Sequence, residues 1–257
     1  MASSSPQLSD VLPGVLECLR RDGWAIAPVA AALLALPLLL LVRAIGLDLL
    51  DPGAELGRPD PGILPLFLAV LALSILAQLF VTALAVGEGG ATVGELLRGL
   101  VPLVPRAFLI GFVQALPASL GLQAMAAADP GVALGGAFLA GLGLYLFARL
   151  LLAIPALVRE GEGVRAALLR SWQLTSGRSI GLIALLLGLL VAFFVMAVLL
   201  VAVAAPIAAI ATLLFGDPAN GWGAAQWVNG LMLALLQTSL TVLVALVAGQ
   251  TYRVLAG

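Results

Sequence analysis

The chain has 257 residues, of which 63% are hydrophobic and 10% are charged, and its mean hydropathy is +1.19. These values exclude a soluble globular protein and predict an all-α membrane protein that crosses the bilayer several times. The net charge is −1, and its 12 positive charges are arginines scattered over short loops, so no nucleic-acid partner is expected. Because the chain has no histidine and a single cysteine, Cys18, no metal or other cofactor is expected either.

Long apolar runs predict about six membrane-spanning helices. In chain order they are Trp24–Leu47, Ile63–Val86, Ala107–Ala127, Val132–Val158, Ser179–Phe215 and Trp227–Arg253. Each run exceeds the roughly 18 residues that a spanning helix needs. The fifth run is too long for one perpendicular crossing, so we expect Pro206 to break it into a spanning helix and a second, short helix.

The arginines predict the orientation of the chain. Only Arg43 and Arg58 fall on one side of the six-span arrangement, whereas nine arginines fall on the other side. These nine are Arg20, Arg21, Arg98, Arg106, Arg159, Arg165, Arg170, Arg178 and Arg253. Since basic residues are retained on the cytoplasmic side, both termini are expected to be cytoplasmic.

Three segments on the predicted cytoplasmic side have apolar residues at helical spacing. They are Leu8–Arg21, Thr92–Val104 and Val164–Leu174, and each is predicted to form a short amphipathic helix at the membrane surface. No soluble domain is predicted on either side.

The chain also shows a possible internal repeat. A shift of 72 residues aligns Glu88 with Glu160 and Arg106 with Arg178. A shift of 85 residues lays Arg21 over Arg106. Together the two alignments predict parallel repeats of helical hairpins within one polytopic domain of residues 1–257, with units 7–87, 88–159 and 160–257. The alternative is that short basic loops between apolar helices resemble one another without being repeats.

Arg149 is a charged residue inside the fourth predicted span. Counted back from Arg159 at ~1.5 Å per residue, it lies about 15 Å inside the hydrocarbon layer. Tyr145 precedes it by one helical turn, and Pro155 removes a downstream hydrogen bond and should free the carbonyl of Leu151. A polar, kinked site is therefore predicted. Two interpretations stay open, a side chain that reaches toward the headgroups and a site for a substrate or a lipid headgroup.

A motif around Arg149 carries a family resemblance. Its residues are Arg149, Pro155, Glu160, Ala167, Leu168, Arg170, Ser171, Trp172, Leu174, Thr175 and Gly177, and the closing QTYRVLAG supports it. This pattern resembles the membrane-domain family named after glycerophosphoryl diester phosphodiesterases. The resemblance implies a bacterial inner-membrane protein that lacks the catalytic domain of those enzymes.

The residues do not favour catalysis. Phosphodiester cleavage by those enzymes uses histidines and a metal-binding carboxylate cluster, which this sequence lacks, so no enzyme is predicted. The candidate residues for a ligand or lipid headgroup are Arg149, Tyr145, Glu160, Arg170, Trp172 and Arg178. Trp172 is also explained by anchoring of its indole in the headgroup layer.

Two functions follow from these observations. The first is a non-catalytic inner-membrane protein that associates with lipids, anionic ones included, or assists a membrane complex with a protein partner. The alternative is a small transporter or permease for an anionic or lipid-like solute. The absence of an acidic residue inside the spans leaves no group to couple protons or sodium, which favours the first function.

Overall fold

The computed structural model describes residues 11–45, 62–87, 92–127, 129–216 and 223–256, and this part of the chain contains helices and turns but no strand. Ten α-helices are present in it. They are α1 (Val11–Ala30), α2 (Leu36–Ile45), α3 (Ile63–Val86), α4 (Val93–Leu100), α5 (Val104–Met125), α6 (Pro130–Leu150), α7 (Ala153–Glu160), α8 (Val164–Leu174), α9 (Ser179–Phe215) and α10 (Ala224–Ala256). A π-helical turn, Ala31–Ala35, joins α1 to α2, and a 3₁₀ turn, Val101–Leu103, joins α4 to α5.

Six helical stretches of the described chain are long and apolar enough to cross a membrane. They are Val11–Ile45, Ile63–Val86, Val93–Met125, Pro130–Glu160, Ser179–Phe215 and Ala224–Ala256. The predicted fold class, an all-α membrane protein with about six spans, is therefore confirmed, and the chain is a multi-pass membrane protein.

The N-terminal part differs from its prediction. Residues 8–10 of the amphipathic helix expected within Leu8–Arg21 lie outside the described residues, and from Val11 onward α1 continues without interruption past Arg21 into the first span, so this segment does not form a separate helix. A single glycine, Gly23, is too weak a signal to end a helix whose neighbours are strong helix formers. The wide π turn lies directly before Pro37, where it gives room to a ring that would clash with the preceding turn.

The predicted break at Pro206 is wrong. Helix α9 runs continuously from Ser179 to Phe215 with Pro206 in its interior. Inside a hydrocarbon layer no water can take over the backbone groups that a break would expose, so the loss of one hydrogen bond at Pro206 costs less than opening the helix.

The other two short helices are present. Helix α8 has the predicted bounds, Val164–Leu174, and α4 covers the first part of the predicted segment. Thr92 and Glu95 form a capping box at the start of α4, in which each side chain bonds the backbone N–H of the other residue. The location of both helices at a membrane surface stays a prediction.

The chain divides into two compact units, one of Met1–Gly23, Gln78–Leu189 and Val244–Gly257 and the other of Trp24–Ala77 and Leu190–Leu243. In the second unit, Ala30, Leu34 and Ala77 form a buried apolar cluster. The 72-residue repeat stays a prediction, and Glu88, on which its alignment depends, lies outside the described residues.

In the first unit, helices α5 and α6 pack against each other closely through glycines. A Cβ atom added at Gly143 would lie 2.5 Å from the backbone nitrogen of Ala118, and one added at Gly136 would lie 2.5 Å from that of Met125. Such distances are below van der Waals contact, so both positions require a residue without a side chain. This close approach brings side chains of α5 within reach of the C-terminal end of α6.

Candidate functional site

The fourth span is broken at the position where Arg149 lies. Helix α6 ends at Leu150, a turn covers Leu151 and Leu152, and α7 begins at Ala153. Pro155, in the first turn of α7, disfavours a continuous helix here, since it lacks an N–H and its ring would collide with the carbonyl four residues earlier. The helix is thus interrupted in the segment where the sequence predicted a polar, kinked site.

Side chains from two other helices replace the hydrogen bonds that the break removes. The Ser171 hydroxyl of α8 donates to the carbonyl oxygen of Arg149 at 2.8 Å and accepts from the N–H of Leu152 at 3.2 Å. Thr175 Oγ1, one turn later at the C-terminal end of α8, lies 3.1 Å from the same Arg149 oxygen. Gln114 of α5 donates to the carbonyl of Leu150. The carbonyls that accept these bonds are therefore those of Arg149 and Leu150, not that of Leu151 as the sequence suggested.

The Arg149 side chain is enclosed by the same helices. It is only 5% exposed, its Cζ lies 4.0 Å from the centre of the Trp172 ring, and its Nη1 donates to Ser179 Oγ at 3.3 Å. Its Nε is buried and has no hydrogen-bond partner. In the described part of the chain, no carboxylate forms an ion pair with it. The positive charge is offset by the indole face and by its place at the C-terminal, negative end of α6.

A cavity of about 570 Å³ lies at another place in the first unit. Its lining residues are Val86, Gly87, Arg159, Glu160, Arg170, Tyr252, Arg253 and Ala256, and we call it the arginine cavity. Glu160 Oε1 accepts a hydrogen bond from Arg170 Nε at 3.0 Å and another from the Tyr252 hydroxyl at 2.6 Å. The bond to Glu160 raises the pKa of Arg170 above its ordinary value, so this guanidinium remains charged.

The wall of the arginine cavity next to Val86 is the C-terminal end of α3. Three carbonyls of its last turn accept side-chain hydrogen bonds from three different helices. These bonds are from Arg21 Nη2 to Leu84 at 3.4 Å, from Gln250 Nε2 to Ala85 at 3.0 Å, and from Arg159 Nη1 to Val86 at 3.1 Å. The bonds to Ala85 and Val86 satisfy carbonyls of the last helical turn, whereas the Leu84 carbonyl also accepts the backbone N–H of Gly87. Gly87, with φ of +89°, lets the chain turn away there.

The described residues that line the arginine cavity carry excess positive charge. Among them are three arginines and one carboxylate, Glu160, which gives these residues a formal charge of +2. That carboxylate already accepts bonds from Arg170 and Tyr252. Within the described residues, Arg159 and Arg253 form no ion pair with a carboxylate. The cavity is therefore suited to an anion.

The predicted site residues fall into two groups. Glu160 and Arg170 meet in the arginine cavity, and Arg149 and Trp172 meet at the break. Tyr145 is 39% exposed and the ring over the guanidinium is that of Trp172, while Arg178 is exposed and does not line the cavity. The sequence reasoning missed Arg159, Tyr252 and Arg253 in the cavity and Gln114, Ser171, Thr175 and Ser179 at the break. Ser171, Thr175, Tyr252 and Arg253 were already part of the motif and could have been assigned from it.

One known protein family matches a part of the chain that includes residues of the break and of the arginine cavity. A family model described as the membrane domain of glycerophosphoryl diester phosphodiesterase matches residues 125–257, just over half of the chain. The chain belongs to this family. The match contains α6 to α10, hence Arg149, Glu160 and Trp172, whereas Gln114 and Val86 precede it. No curated protein and no solved structure matches the chain.

Several residues of the motif around Arg149 thus have an identifiable structural role in this protein. Pro155 lies in the first turn after the break, Ser171 and Thr175 bond the exposed backbone, and Trp172 covers the Arg149 guanidinium. Glu160 and Arg170 pair in the arginine cavity. The motif therefore builds one broken helix and part of one charged cavity.

Proposed function

We propose that this chain is a non-catalytic protein of the bacterial inner membrane that binds the phosphate of an anionic lipid headgroup in the arginine cavity. The observation that carries the proposal is the excess of guanidinium groups over carboxylates among the described residues that line that cavity. A phosphodiester offers the oxygens that arginine N–H groups bind in pairs, at about 2.7–2.9 Å.

The hydrogen bonds in the cavity leave donors for such a ligand. Arg159 uses Nη1 for the carbonyl of Val86, and its remaining N–H groups form no hydrogen bond in the described chain. Arg253 is exposed and lines the same cavity. Glu160, the residue that would repel a phosphate, has its charge partly offset by Arg170. Arg159 and Arg253 are therefore the residues assigned to the phosphate.

The same contacts support a binding role rather than a catalytic one. Glu160 accepts hydrogen bonds from both Tyr252 and Arg170, which engages this carboxylate instead of leaving it as a free base beside a nucleophile. Within the described residues, no group of three or more histidine, cysteine or acidic side chains could hold a metal ion. These residues fit a protein that binds lipid without catalysing a reaction.

The orientation is part of the proposal. Arg159, Arg170 and Arg253 all belong to the arginine-rich side of the sequence, which the basic residues assign to the cytoplasm. The inner leaflet facing the cytoplasm presents anionic headgroups to basic pockets between helices. A cysteine introduced at Gly161 in a Cys18→Ser background should resist impermeant thiol reagents in intact cells, and labelling there would reverse the orientation.

Native mass spectrometry with retained lipid tests the binding. The parent should retain phosphatidylglycerol in preference to phosphatidylcholine. Arg159→Gln combined with Arg253→Gln should weaken phosphatidylglycerol binding at least about tenfold, because a hydrogen bond to a charged group contributes about 1.5–3 kcal/mol.

The matched control is Arg20→Gln combined with Arg165→Gln, which removes the same charge from exposed arginines outside the cavity lining. This variant should bind phosphatidylglycerol as the parent does. Equal losses of phosphatidylglycerol binding in both double variants would mean that overall charge, and not the cavity, causes the effect. A parent without preference for phosphatidylglycerol would overturn the proposal.

A further inference from the structure

The guanidinium of Arg149 has one edge without a partner. Nη1 is used by Ser179, and the indole of Trp172 covers one face of the group. Nε is buried and unpaired, and Nη2 donates no hydrogen bond within the part of the chain that the structure describes. In a guanidinium, Nε–H and one Nη2–H point the same way, so this edge presents two parallel donors.

An unpaired charge at this depth is costly. The residue is 95% buried, since its exposure is 5%, and no carboxylate of the described chain contacts it. Burying a charge is unfavourable unless it is paired or hydrogen-bonded. The helix end and the indole face stabilise the guanidinium, but neither supplies an opposite charge or a hydrogen-bond acceptor for Nε. A bound anion would supply the missing charge.

We propose that the Nε–Nη2 edge of Arg149 binds a phosphate group, in a site separate from the arginine cavity. Two parallel N–H donors match two oxygens of one phosphate, which is the geometry that distinguishes arginine from lysine. Trp172 lies over the guanidinium and is 41% exposed, so movement of this single side chain would open the way to the edge. The phosphate is either inorganic phosphate or that of a lipid headgroup.

The break in the fourth span makes this arrangement possible. Ser171, Trp172 and Thr175 are all on α8 or at its end, so one segment supplies both the side chains that bond the carbonyl of Arg149 and the ring that covers its guanidinium. Ser179 holds Nη1 from the start of α9. The fork is thus fixed in place before a ligand arrives, which reduces the entropy lost on binding.

The test follows the Nε–H signal of Arg149 by NMR in protein labelled with ¹⁵N at arginine Nε and held in a non-ionic detergent. Spectra of Arg149→Lys and Arg149→Gln assign the signal by its absence. Inorganic phosphate and short-chain phosphatidylglycerol are titrated separately. A saturable shift with inorganic phosphate identifies the free ion, and a shift with phosphatidylglycerol alone identifies the headgroup.

Three variants distinguish binding at Arg149 from binding in the arginine cavity and from an effect of charge alone. The Arg159→Gln, Arg253→Gln protein should show the same shift as the parent, because the arginine cavity is not involved. Ser179→Ala leaves the Nε–Nη2 edge intact and should also retain the shift. Phosphate binding, measured independently by equilibrium dialysis of the same ligand, should fall at least about tenfold in Arg149→Lys, which keeps the charge but loses the fork.

Two results would overturn the proposal. The first is an Arg149 Nε–H signal in the parent that neither probe moves, and this result does not depend on any variant folding. The second is equal binding of the active probe by the parent and by Arg149→Lys, which would leave Arg149 with a structural role.

Discussion

Pro155 and Pro206 both lie inside long apolar helical stretches, and the chain responds to them in opposite ways. The stretch around Pro155 is broken between Leu150 and Ala153, whereas α9 passes through Pro206 intact. Both prolines remove one N–H and push against the preceding turn. The proline itself therefore does not decide whether a helix breaks.

The difference lies in the neighbouring side chains. At Pro155, Gln114, Ser171 and Thr175 reach the carbonyls of Arg149 and Leu150 from α5 and α8. Around Pro206 the nearest side-chain bond of the helix runs from Thr212 to the carbonyl of Ala208 within α9 itself. In a hydrocarbon layer a helix can open only where another group satisfies its backbone. Replacement donors, supplied by other helices, allow the break at Pro155.

The largest effect is expected from Ser171→Ala. The change leaves the Leu152 N–H without its acceptor and removes one donor from the Arg149 carbonyl. It should lower the free energy of unfolding in detergent by about 3 kcal/mol, because each buried group left unsatisfied costs about 1–3 kcal/mol. The exposed Ser176→Ala is the control and should change stability by less than about 0.5 kcal/mol. Similar losses in both variants would remove the assigned role of Ser171.

The next effect is expected from Gly143→Ala, which acts on the packing of α5 against α6. The new methyl group would meet the backbone of Ala118, so the helices must separate and Gln114 would lose contact with the Leu150 carbonyl. The variant should be less stable than the parent by about 1–3 kcal/mol, as measured by thermal unfolding in detergent. Gly141→Ala is the control, since nothing lies within 4 Å of its added Cβ, and it should be neutral or slightly stabilising. A neutral Gly143→Ala would show that α5 and α6 are not in close contact.

A smaller effect is expected from Pro155→Ala. The alanine restores an N–H, but Gln114, Ser171 and Thr175 still bond the exposed carbonyls, so the break should persist. The free energy of unfolding in detergent should change by less than about 1 kcal/mol. A gain of several kcal/mol, accompanied by a continuous helix from Pro130 to Glu160 in a determined structure, would assign the break to the proline alone.

The smallest effect is expected from Pro206→Ala. Because α9 is already continuous, alanine only restores one hydrogen bond and should stabilise the protein by about 1 kcal/mol or less. Proline in the interior of an exposed helix in water would instead cost about 3 kcal/mol. Measuring the free energy of unfolding of this variant and of Pro155→Ala under the same conditions allows a direct comparison of the two prolines. A gain near 3 kcal/mol at Pro206 would mean that α9 is strained or opened there.

The sequence predicted those parts of the fold that depend on local patterns. Long apolar runs specified the six spans, and helical spacing specified α8 with its bounds from Val164 to Leu174. Local patterns could not predict the outcome at Pro206 or the continuity of α1, because both depend on what surrounds a helix. Local patterns could not predict the contacts around Pro155 either, since Gln114 bonds the carbonyl of Leu150, which is 36 residues away in the sequence.

The candidate site was predictable to a similar extent. Arg149, Glu160, Arg170 and Trp172 were selected by charge, depth and the family motif. Their division into two groups was not, because Glu160 meets Tyr252 across 92 residues and Arg159 meets the end of α3 across 73 residues. A single sequence carries no signal for such pairings.

The most direct measurement concerns the carbonyl of Arg149. Arg149–Leu150 is the one Arg–Leu pair in the sequence, so protein labelled with ¹³C at arginine carbonyls and ¹⁵N at leucine gives a single carbon–nitrogen correlation. Ser171→Ala combined with Thr175→Val should move its ¹³C signal to lower frequency, since the carbonyl loses both side-chain partners. The Ser176→Ala control should leave the signal unchanged. An unshifted signal in the double variant would contradict the central claim that side chains of the family motif hold the broken helix open.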